Sequence, residues 1–402
     1  MNIEKIREDF PVLSQKLKAK PIIYMDSACM SLKPRQVIET MNAYYYEYSG
    51  CAGRSSHKLG KKTDEEYHKA REMIAKFIGA KPNETVFTRN TTEGINLVAN
   101  SIGLKPGNVV LTTDKEHNSN LLPWQILANK GIKHFVLESN NDNTFNIDAF
   151  QQILEKHRPK LVSVVHTSNL DGVTNPVKDI AKISHEYDAV MIVDAAQSVP
   201  HKKIDVKHIG CDFLAFSGHK MLGPTGTGAL YGRYELLEKM HPFLVGGDTV
   251  VKTTYINADF EKPPEKFEAG LQNYAGMIGM AAACKYLDKL GLDDIEKHEA
   301  ELNRIITDEI KDIPGLRIIG PADARLRAGI ISFTIDKIPS HDIALMLDEM
   351  QNIMIRSGQH CVHSWFNANN IEGSARASLY LYNTKEEAQT FIEILKKIAK
   401  LR

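Results

Sequence analysis

The chain has 402 residues, of which 43% are hydrophobic and 25% charged, a composition typical of folded globular proteins rather than disordered ones. Its 50 basic and 50 acidic residues cancel, so no net positive field would attract nucleic acid or an anionic membrane surface. These values predict a soluble protein of about two domains that acts on a small molecule.

The N-terminal residues, the most apolar run and the cysteines argue against several further classes of protein. Residues 1–8 mix acidic and basic side chains where a signal peptide needs a continuous apolar stretch, so we expect a cytoplasmic location. The most apolar run, 277–284, is far shorter than the roughly 20 residues that span a bilayer. The five cysteines are scattered and form no Cys-x-x-Cys pair, which argues against a disulfide framework or a zinc ribbon.

Short apolar runs alternate with helical patterns through the first 260 residues, at 108–113, 161–165, 189–193 and 213–216. This alternation predicts an α/β fold with a largely parallel sheet covered by helices. Ligands of such sheets bind beyond the carboxyl ends of the strands. The polar residues that follow the runs are therefore of interest, and these are Thr112, Thr113, His166, Asp194 and Ser217 to Lys220.

The pattern changes after residue 260. A proline-containing stretch at 261–264 precedes a long helical pattern from Tyr274 to Lys289. The remainder reads as a small α+β unit, with strands predicted at 329–335, 353–356 and 377–381 and helices near 342–350 and after Thr384. We therefore predict an N-terminal segment packed on the small domain (1–20), a large cofactor-binding domain (21–260), an interdomain segment (261–290) and a small C-terminal domain (291–402).

The polar residues that follow two of the predicted strands suit pyridoxal 5′-phosphate (PLP). This cofactor needs a lysine amine to hold its aldehyde and an acid to keep its ring nitrogen protonated. Taken singly, a lysine is more often a solvated surface charge, and an aspartate at a strand end is often a helix cap. Together, Asp194 and Lys220 predict a Schiff-base lysine and its acidic partner.

The segment Asn90-Thr91-Thr92-Glu93 precedes a helical pattern at 95–102. Asn90 and Glu93 resemble a capping box, which is a structural feature. The free N–H groups of such a helix end, together with the threonine hydroxyls, also form a natural phosphate site. Both roles can hold together.

Five motifs occur in order along nearly the whole chain: Thr91-Thr92-Glu93-Gly94-Ile95-Asn96, Glu116-His117-Asn118-Ser119-Asn120, Asp194-Ala195-Ala196-Gln197, Ser217-Gly218-His219-Lys220 and Arg356-Ser357-Gly358-Gln359-His360-Cys361. Together they resemble the class V aminotransferase family, and within it the cysteine desulfurases of the sulfur-mobilisation (Suf) type, next to the selenocysteine lyases. The resemblance implies a PLP-dependent enzyme of fold type I. It further implies a mostly parallel seven-stranded sheet in the large domain and a homodimer with active sites near the subunit interface.

The same resemblance assigns roles to individual residues. Lys220 would carry PLP, Asp194 would face the ring nitrogen, and Gln197 would face the phenolic oxygen. His117 would stack on the ring and shuttle protons. The phosphate would be held by Thr91, Thr92, Ser217 and His219, and the substrate would be bound by Asn169, Arg376, Arg356 and Arg54.

Cys361 is the candidate nucleophile because Arg356, His360 and His363 surround it in sequence, a cationic setting that favours thiolate. A metal site formed by His360, Cys361 and His363 is a weaker interpretation, since no fourth ligand lies nearby, and no metal is expected. The context of the other cysteines indicates packing alone. They are Cys29, Cys51, Cys211 and Cys284.

The implied reaction converts L-cysteine to L-alanine. Cys361 would take the sulfur as a persulfide and pass it to an acceptor or scaffold protein for iron-sulfur cluster assembly. Selenocysteine lyase, another class V lyase and a low-turnover PLP-binding sulfur carrier remain alternatives.

Two positions depart from the family pattern. Leu271 stands where the family usually has a threonine that reaches the partner subunit's PLP phosphate, and Gly53 stands where a histidine is common. We therefore expect that the protein retains PLP more weakly than the family pattern implies. We also expect the part of the site near the subunit interface to differ from that pattern.

Overall fold

The computed structural model describes residues 1–402. Its helices are α1 (Ile3–Arg7), α2 (Arg35–Glu47), α3 (Lys58–Phe77), α4 (Thr91–Ser101), α5 (Asn118–Ile126), α6 (Ile147–His157), α7 (Val177–Glu186), α8 (Val206–Ile209), α9 (Tyr234–Lys239), α10 (Tyr274–Leu290), α11 (Leu292–Ile310), α12 (Ser340–Gln351), α13 (His363–Ala368) and α14 (Lys385–Ile398). Its strands are β1 (Lys16–Leu17), β2 (Lys20–Pro21), β3 (Ile23–Tyr24), β4 (Thr85–Thr88), β5 (Val109–Thr113), β6 (Lys133–Leu137), β7 (Leu161–Val165), β8 (Val190–Asp194), β9 (Phe213–Ser217), β10 (Gly228–Gly232), β11 (Val250–Thr253), β12 (Ala258–Phe260), β13 (Leu316–Ile319), β14 (Ile330–Ile335), β15 (Ile353–Met354), β16 (Arg356–Gly358) and β17 (Ser374–Ser378).

A seven-stranded sheet forms the centre of the larger part of the molecule, with the strand order β4-β10-β9-β8-β7-β5-β6. Strands β5 to β9 run parallel, and β10 pairs antiparallel with β4 and with β9. The predicted α/β fold with a mostly parallel seven-stranded sheet is confirmed. Because β5, β7, β8 and β9 are parallel, the polar residues at their carboxyl ends meet at one edge of the sheet.

The strands of this sheet are buried on both faces, which explains their continuous apolar sequences. In β9, Phe213 and Ala215 belong to one core, while Leu214 and Phe216 belong to the other. Successive side chains of a strand point to opposite faces, so helices must cover both sides. α4 and α5 pack on the first face, and α7 and α10 pack on the second.

A second, four-stranded sheet has the antiparallel order β13-β14-β17-β16. α11, α12 and α14 pack against it around a separate core. This core also contains Ile23 and Met25, because β3 pairs in parallel with β15. Residues just after the predicted boundary at 21 thus contact the C-terminal sheet. The domain boundaries as a whole stay a prediction.

Most elements lie where the sequence predicted them, with three differences. The strand predicted at 353–356 is two strands, β15 and β16, of which the first pairs with β3 and the second with β17. The helix predicted at 95–102 begins at Thr91, because Asn90 caps the helix four residues earlier than the apolar periodicity indicates. The strand predicted at 377–381 lies at 374–378. The apolar residues Tyr380 to Tyr382 that suggested the later position are buried in the larger core without joining a strand. No helix of the structure combines the length and the apolar character that crossing a membrane requires.

Candidate active site

A cavity of about 210 Å³ lies at the carboxyl edge of the seven-stranded sheet and reaches the four-stranded sheet. Twelve of the thirteen predicted site residues line it. They are Thr91, Thr92, His117, Asn169, Asp194, Gln197, Ser217, His219, Lys220, Arg356, Cys361 and Arg376. Residues that are far apart in the sequence are therefore assembled in one place by the fold.

Lys220 and Asp194 lie on neighbouring parallel strands or just beyond them. Asp194 is the last residue of β8, and Lys220 ends a short helical turn, Gly218–Lys220, that follows β9. Burial raises the pKa of Asp194, and the Ala196 N–H at 3.0 Å and the charge of Lys220 oppose that shift. Burial likewise lowers the pKa of Lys220, and Asp194 opposes the shift. A less basic lysine has a larger neutral, nucleophilic fraction.

His117 is held in one orientation at the start of α5. Its Nδ1 accepts a hydrogen bond from the Ser119 N–H at 3.1 Å, so the proton of the neutral ring resides on Nε2. Burial, with a smaller effect of the Lys220 charge, lowers the pKa of His117 to about 3. The ring is therefore neutral at physiological pH, with its proton on Nε2.

The preceding residue, Glu116, fixes the loop that carries His117. Its Oε1 accepts hydrogen bonds from Thr113 Oγ1 at 2.6 Å and from Val165 N at 2.9 Å, and its Oε2 accepts from Asn120 Nδ2 at 2.6 Å. Burial raises the pKa of Glu116 to about 8. The loop is thus attached to both β5 and β7 by one buried side chain.

Hydroxyl groups gather at the start of α4. Thr91 Oγ1 lies 2.7 Å from Ser217 Oγ, the Thr91 N–H donates to the same oxygen at 2.8 Å, and Thr92 Oγ1 lies 2.7 Å from Ser119 Oγ. The Asn90 side chain caps the helix through Glu93 N. A helix N-terminus with several hydroxyls suits a phosphate group. The predicted reciprocal capping box is wrong in one detail, since Glu93 Oε2 accepts from the Arg89 N–H and not from Asn90.

Gln197 projects from the segment after β8. Its Nε2 donates one hydrogen bond to Ala28 O at 2.6 Å, so the second N–H of the amide remains for a ligand. The buried Oε1 atom has no partner, which is costly in a folded protein without a bound polar group. With the lysine amine, the buried acid and the hydroxyl cluster, these residues fit pyridoxal phosphate.

Two arginines come from the four-stranded sheet. Arg356 and Arg376 lie directly opposite each other in the β16–β17 ladder, a pairing of like charges that is unfavourable alone. Asp26 compensates it, since its carboxylate oxygens lie 3.5 Å from Arg376 Nη2 and 4.0 Å from Arg356 Nη1. Arg376 is 2% exposed and its Nε has no partner. A buried, pre-oriented guanidinium with a free donor is suited to bind a carboxylate.

The loop that carries Cys361 is tied to the larger sheet. Asn169 Nδ2 donates to His360 O at 2.7 Å, and the Asn118 N–H donates to Cys361 O at 2.7 Å. Both His360 and Cys361 have positive φ angles, 49° and 59°, a conformation that costs free energy in residues other than glycine. The fold therefore maintains an unfavourable backbone conformation that presents the thiol at the cavity.

The histidines beside Cys361 have partners of their own. His360 Nε2 lies 2.8 Å from Ser374 Oγ, and His363 Nδ1 lies 2.9 Å from Asn118 Nδ2. The structure contains no group of three or more His, Cys, Asp or Glu side chains arranged to hold a metal ion.

Arg54 is the one predicted site residue that does not line the cavity. It is exposed, lies before α3, and forms an ion pair with Asp248. A role in binding substrate would therefore require the cavity of another subunit.

Sequence reasoning missed several lining residues. Most of them are small or neighbour the predicted residues, namely Ala28, Asn90, Ser119, Val165, Ala196 and His360. Cys29 is the exception, because it has a reactive side chain and its local sequence carries no signal that separates it from packing.

Comparison with known proteins identifies the family of the chain. The family model described as class V aminotransferase matches residues 23–391. A protein of Halalkalibacterium halodurans named probable cysteine desulfurase is 42% identical over 402 residues, covering 99% of this chain and 98% of that protein. The apo structure of a cysteine desulfurase from Thermococcus onnurineus NA1 has a TM-score of 0.94 at 38% identity, with 99% and 98% of the two chains covered.

A second solved structure, the cysteine desulfurase CsdA from Escherichia coli, has a TM-score of 0.91 at 30% identity and covers 100% of this chain and 99% of its own. Each of these similarities extends over nearly the whole chain, and the family model includes both sheets. The chain belongs to the class V aminotransferase family.

Proposed function

We propose that this protein is a PLP-dependent cysteine desulfurase that converts L-cysteine to L-alanine and takes up the sulfur as a persulfide on Cys361. The observation that carries the proposal is the lining of a single cavity by Lys220, Asp194, Arg376 and Cys361. The first pair suits the cofactor, the arginine suits an amino-acid carboxylate, and the thiol suits attack on sulfur. Relatives about 40% identical over nearly the full chain are named as cysteine desulfurases.

Pyridoxal phosphate, when bound, withdraws electrons from the substrate's Cα and Cβ. Lys220 would hold its aldehyde and, once the substrate has displaced it, its amine would move the Cα proton. Asp194 would hold the proton on the ring nitrogen. The hydroxyls of Thr91, Thr92 and Ser217, with His219, would hold the phosphate, and Gln197 and His117 would contact the ring.

Cys361 supplies the second nucleophile. Its thiolate would attack the sulfur of the substrate, so that an S–S bond forms at Cys361 and the bond from sulfur to Cβ breaks. The former Cβ takes up a proton and leaves as the methyl group of alanine. Arg376 and Asn169 would bind the substrate carboxylate, and Arg356 would lie on the same side of the substrate.

The remaining assignments belong to the same proposal. A homodimer is supported by exposed apolar side chains on the β11–β12 hairpin and beside it, including Val251, Tyr255, Ile256 and Leu271. In such a dimer Arg54 could reach the partner's cavity. We further propose a cytoplasmic location, a protein acceptor for the sulfur, and the division into a large cofactor-binding domain and a small C-terminal domain.

Purified protein loaded with PLP and incubated with L-cysteine should form alanine and mobilise sulfur in equal amounts. Lys220→Ala should abolish the borohydride-reducible link to the cofactor and alanine formation with it, whereas Lys202→Ala, a lysine outside the cavity, should retain both. Alanine formation by Lys220→Ala at the parent rate would contradict the proposal. Turnover of selenocysteine but not of cysteine by the parent protein would assign the site to a selenocysteine lyase instead.

A further inference from the structure

Cys29 is a second thiol in the cavity that contains Cys361. It is half-buried and lines the same space as Lys220 and Cys361. The other three cysteines, Cys51, Cys211 and Cys284, do not line it. The cavity thus combines two thiols that are more than 300 residues apart in the chain.

The backbone after β3 holds Cys29 against the four-stranded sheet. The Ser27 N–H donates to Ser378 O at 3.3 Å, and the Ala28 N–H donates to Ser378 Oγ at 3.0 Å. Cys29 N in turn donates to Asp26 O at 3.1 Å. These bonds connect the segment to the end of β17, the strand that carries Arg376.

The contact made by Cys29 is polar. Arg356 Nη1 donates to Cys29 Sγ at 2.9 Å. A cysteine that serves only as a small apolar side chain packs against carbon, whereas a guanidinium stabilises negative charge on the atom it contacts. Arg356 and Cys361 also line this cavity.

The space around the two thiols contains buried polar atoms without partners, Nε of Arg376 and Nδ1 of His360. Both residues line the cavity and are at least 95% buried. Burial lowers the pKa of Lys220, and Asp194, Cys29 and Cys361 oppose that shift. Both sulfurs therefore lie within electrostatic range of the same amine, in a cavity that is also lined by two residues with unpartnered buried polar atoms.

Resting on the function proposed above, we propose that Cys29 is a second sulfur-carrying residue that accepts the terminal sulfur of the Cys361 persulfide. The Cys29 thiolate attacks that terminal sulfur, an S–S bond forms at Cys29, and the S–S bond at Cys361 breaks. Cys361 leaves as a thiolate, and the transferred sulfur keeps its proton. The exchange is redox-neutral and needs no further reactant.

This transfer would free Cys361 while the subunit still holds the first sulfur. A second molecule of L-cysteine can then react before an external acceptor arrives. Without acceptor or reductant, the parent protein should release about two alanines per subunit in the initial burst, and Cys29→Ser should release about one. Cys51→Ser is the matched control, since Cys51 is also half-buried but lies outside the cavity, and it should keep the burst of the parent.

The location of the sulfur gives the direct test. Trypsin separates the three half-buried cysteines into peptides 19–35, 36–54 and 357–376, so mass spectrometry after alkylation reports each one. After L-cysteine is added to the PLP-loaded parent protein, we expect an extra sulfur atom on Cys361 and on Cys29 but not on Cys51. Cys361→Ser should leave Cys29 and Cys51 unmodified, because Cys29 receives sulfur only through Cys361.

Three results would overturn the transfer while leaving the desulfurase proposal intact. These are a Cys361 persulfide with Cys29 bare, equal modification of Cys29 and Cys51, and a Cys29–Cys361 disulfide in place of the Cys29 persulfide. Modification of Cys29 in Cys361→Ser would overturn both the transfer and the role of Cys361 as the first acceptor of sulfur. If alanine is not formed and no cysteine of the parent gains sulfur, both proposals fail. The measurement on the parent protein requires no substitution, so misfolding of a variant cannot obscure it.

Discussion

Replacing Arg376 with alanine should weaken L-cysteine binding much more than cofactor binding. A guanidinium has five N–H groups. In the structure, Nη1 donates to Asn169 O at 3.0 Å, Nη2 lies 3.5 Å from Asp26 Oδ1, and Nε has no partner. Three N–H groups therefore remain, and two of them can bind the substrate carboxylate side by side.

The size of the effect follows from those two bonds. A hydrogen bond that involves a charged group contributes about 1.5–3 kcal/mol, so the loss of both is worth at least about 3 kcal/mol. Since about 1.4 kcal/mol corresponds to a tenfold change in binding, the half-saturating concentration of L-cysteine should rise about 100-fold. Arg376→Lys keeps the charge but loses the planar fork, and its half-saturating concentration should lie between those of the parent and Arg376→Ala.

The assay is the initial rate of alanine formation as a function of L-cysteine concentration. Arg325→Ala is the matched control, because Arg325 is exposed and pairs only with Asp323 at the surface. Removal of Arg376 also leaves Asp26 without its nearer counter-charge. The unfolding midpoint of each variant should therefore be measured, and Arg376→Ala should also be tested together with Asp26→Asn, which removes the unpaired charge. A folded Arg376→Ala whose half-saturating concentration is within about threefold of the parent's would refute the clamp.

Three further predictions concern the cofactor, pH and stability. Leu271 does not line the cavity of its own subunit. In the proposed dimer, Leu271→Thr should bind PLP more tightly than the parent by about 1.5–3 kcal/mol, because the new hydroxyl would donate to the phosphate in the partner subunit; equal dissociation constants would reject this. Burial, with a smaller effect of Lys202, lowers the pKa of His166 to about 3. In the unfolded chain this histidine has an ordinary pKa, so the unfolded chain binds the proton first as pH falls and the free energy of unfolding decreases. In His166→Gln the decrease between pH 6 and 5 should be smaller by about 1 kcal/mol per pH unit. An unchanged slope would contradict the burial argument. Glu268 accepts two 2.7 Å hydrogen bonds from Arg71, and both side chains are under 10% exposed. Glu268→Ala should therefore lower the free energy of unfolding, measured by urea denaturation, by about 3–5 kcal/mol. A decrease below about 1 kcal/mol would contradict the importance of this ion pair.

The sequence predicted the larger sheet and the pairing of Asp194 with Lys220 for a physical reason. Parallel strands buried on both faces are continuous apolar runs, and their carboxyl ends meet at one edge. Asp194 and Lys220 could therefore be brought together without coordinates. The motif resemblance then supplied the other assignments, including Arg356 and Arg376 of the C-terminal sheet and Cys361 in the loop after β16.

Other features depend on tertiary contacts that no local pattern encodes. Cys29 reaches the cavity because main-chain bonds attach its segment to Ser378, about 350 residues away along the chain. The opposition of Arg356 and Arg376 depends on the β16–β17 register, which apolar periodicity does not determine. The start of α4 was placed too late because its first two residues, Thr91 and Thr92, are polar and line the cavity.

The claim that Cys361 removes the sulfur is tested most directly by the reaction of Cys361→Ser with L-cysteine and with selenocysteine. The controls are the parent and Cys211→Ser, whose thiol is buried outside the cavity. Schiff-base formation needs only Lys220, whereas removal of sulfur needs a separate thiolate. Cys361→Ser should therefore keep PLP and bind L-cysteine, form neither persulfide nor alanine from it, and still turn over selenocysteine, because selenium leaves more readily. Cys211→Ser should match the parent. Alanine and sulfide released from L-cysteine by Cys361→Ser at the parent rate would contradict the account.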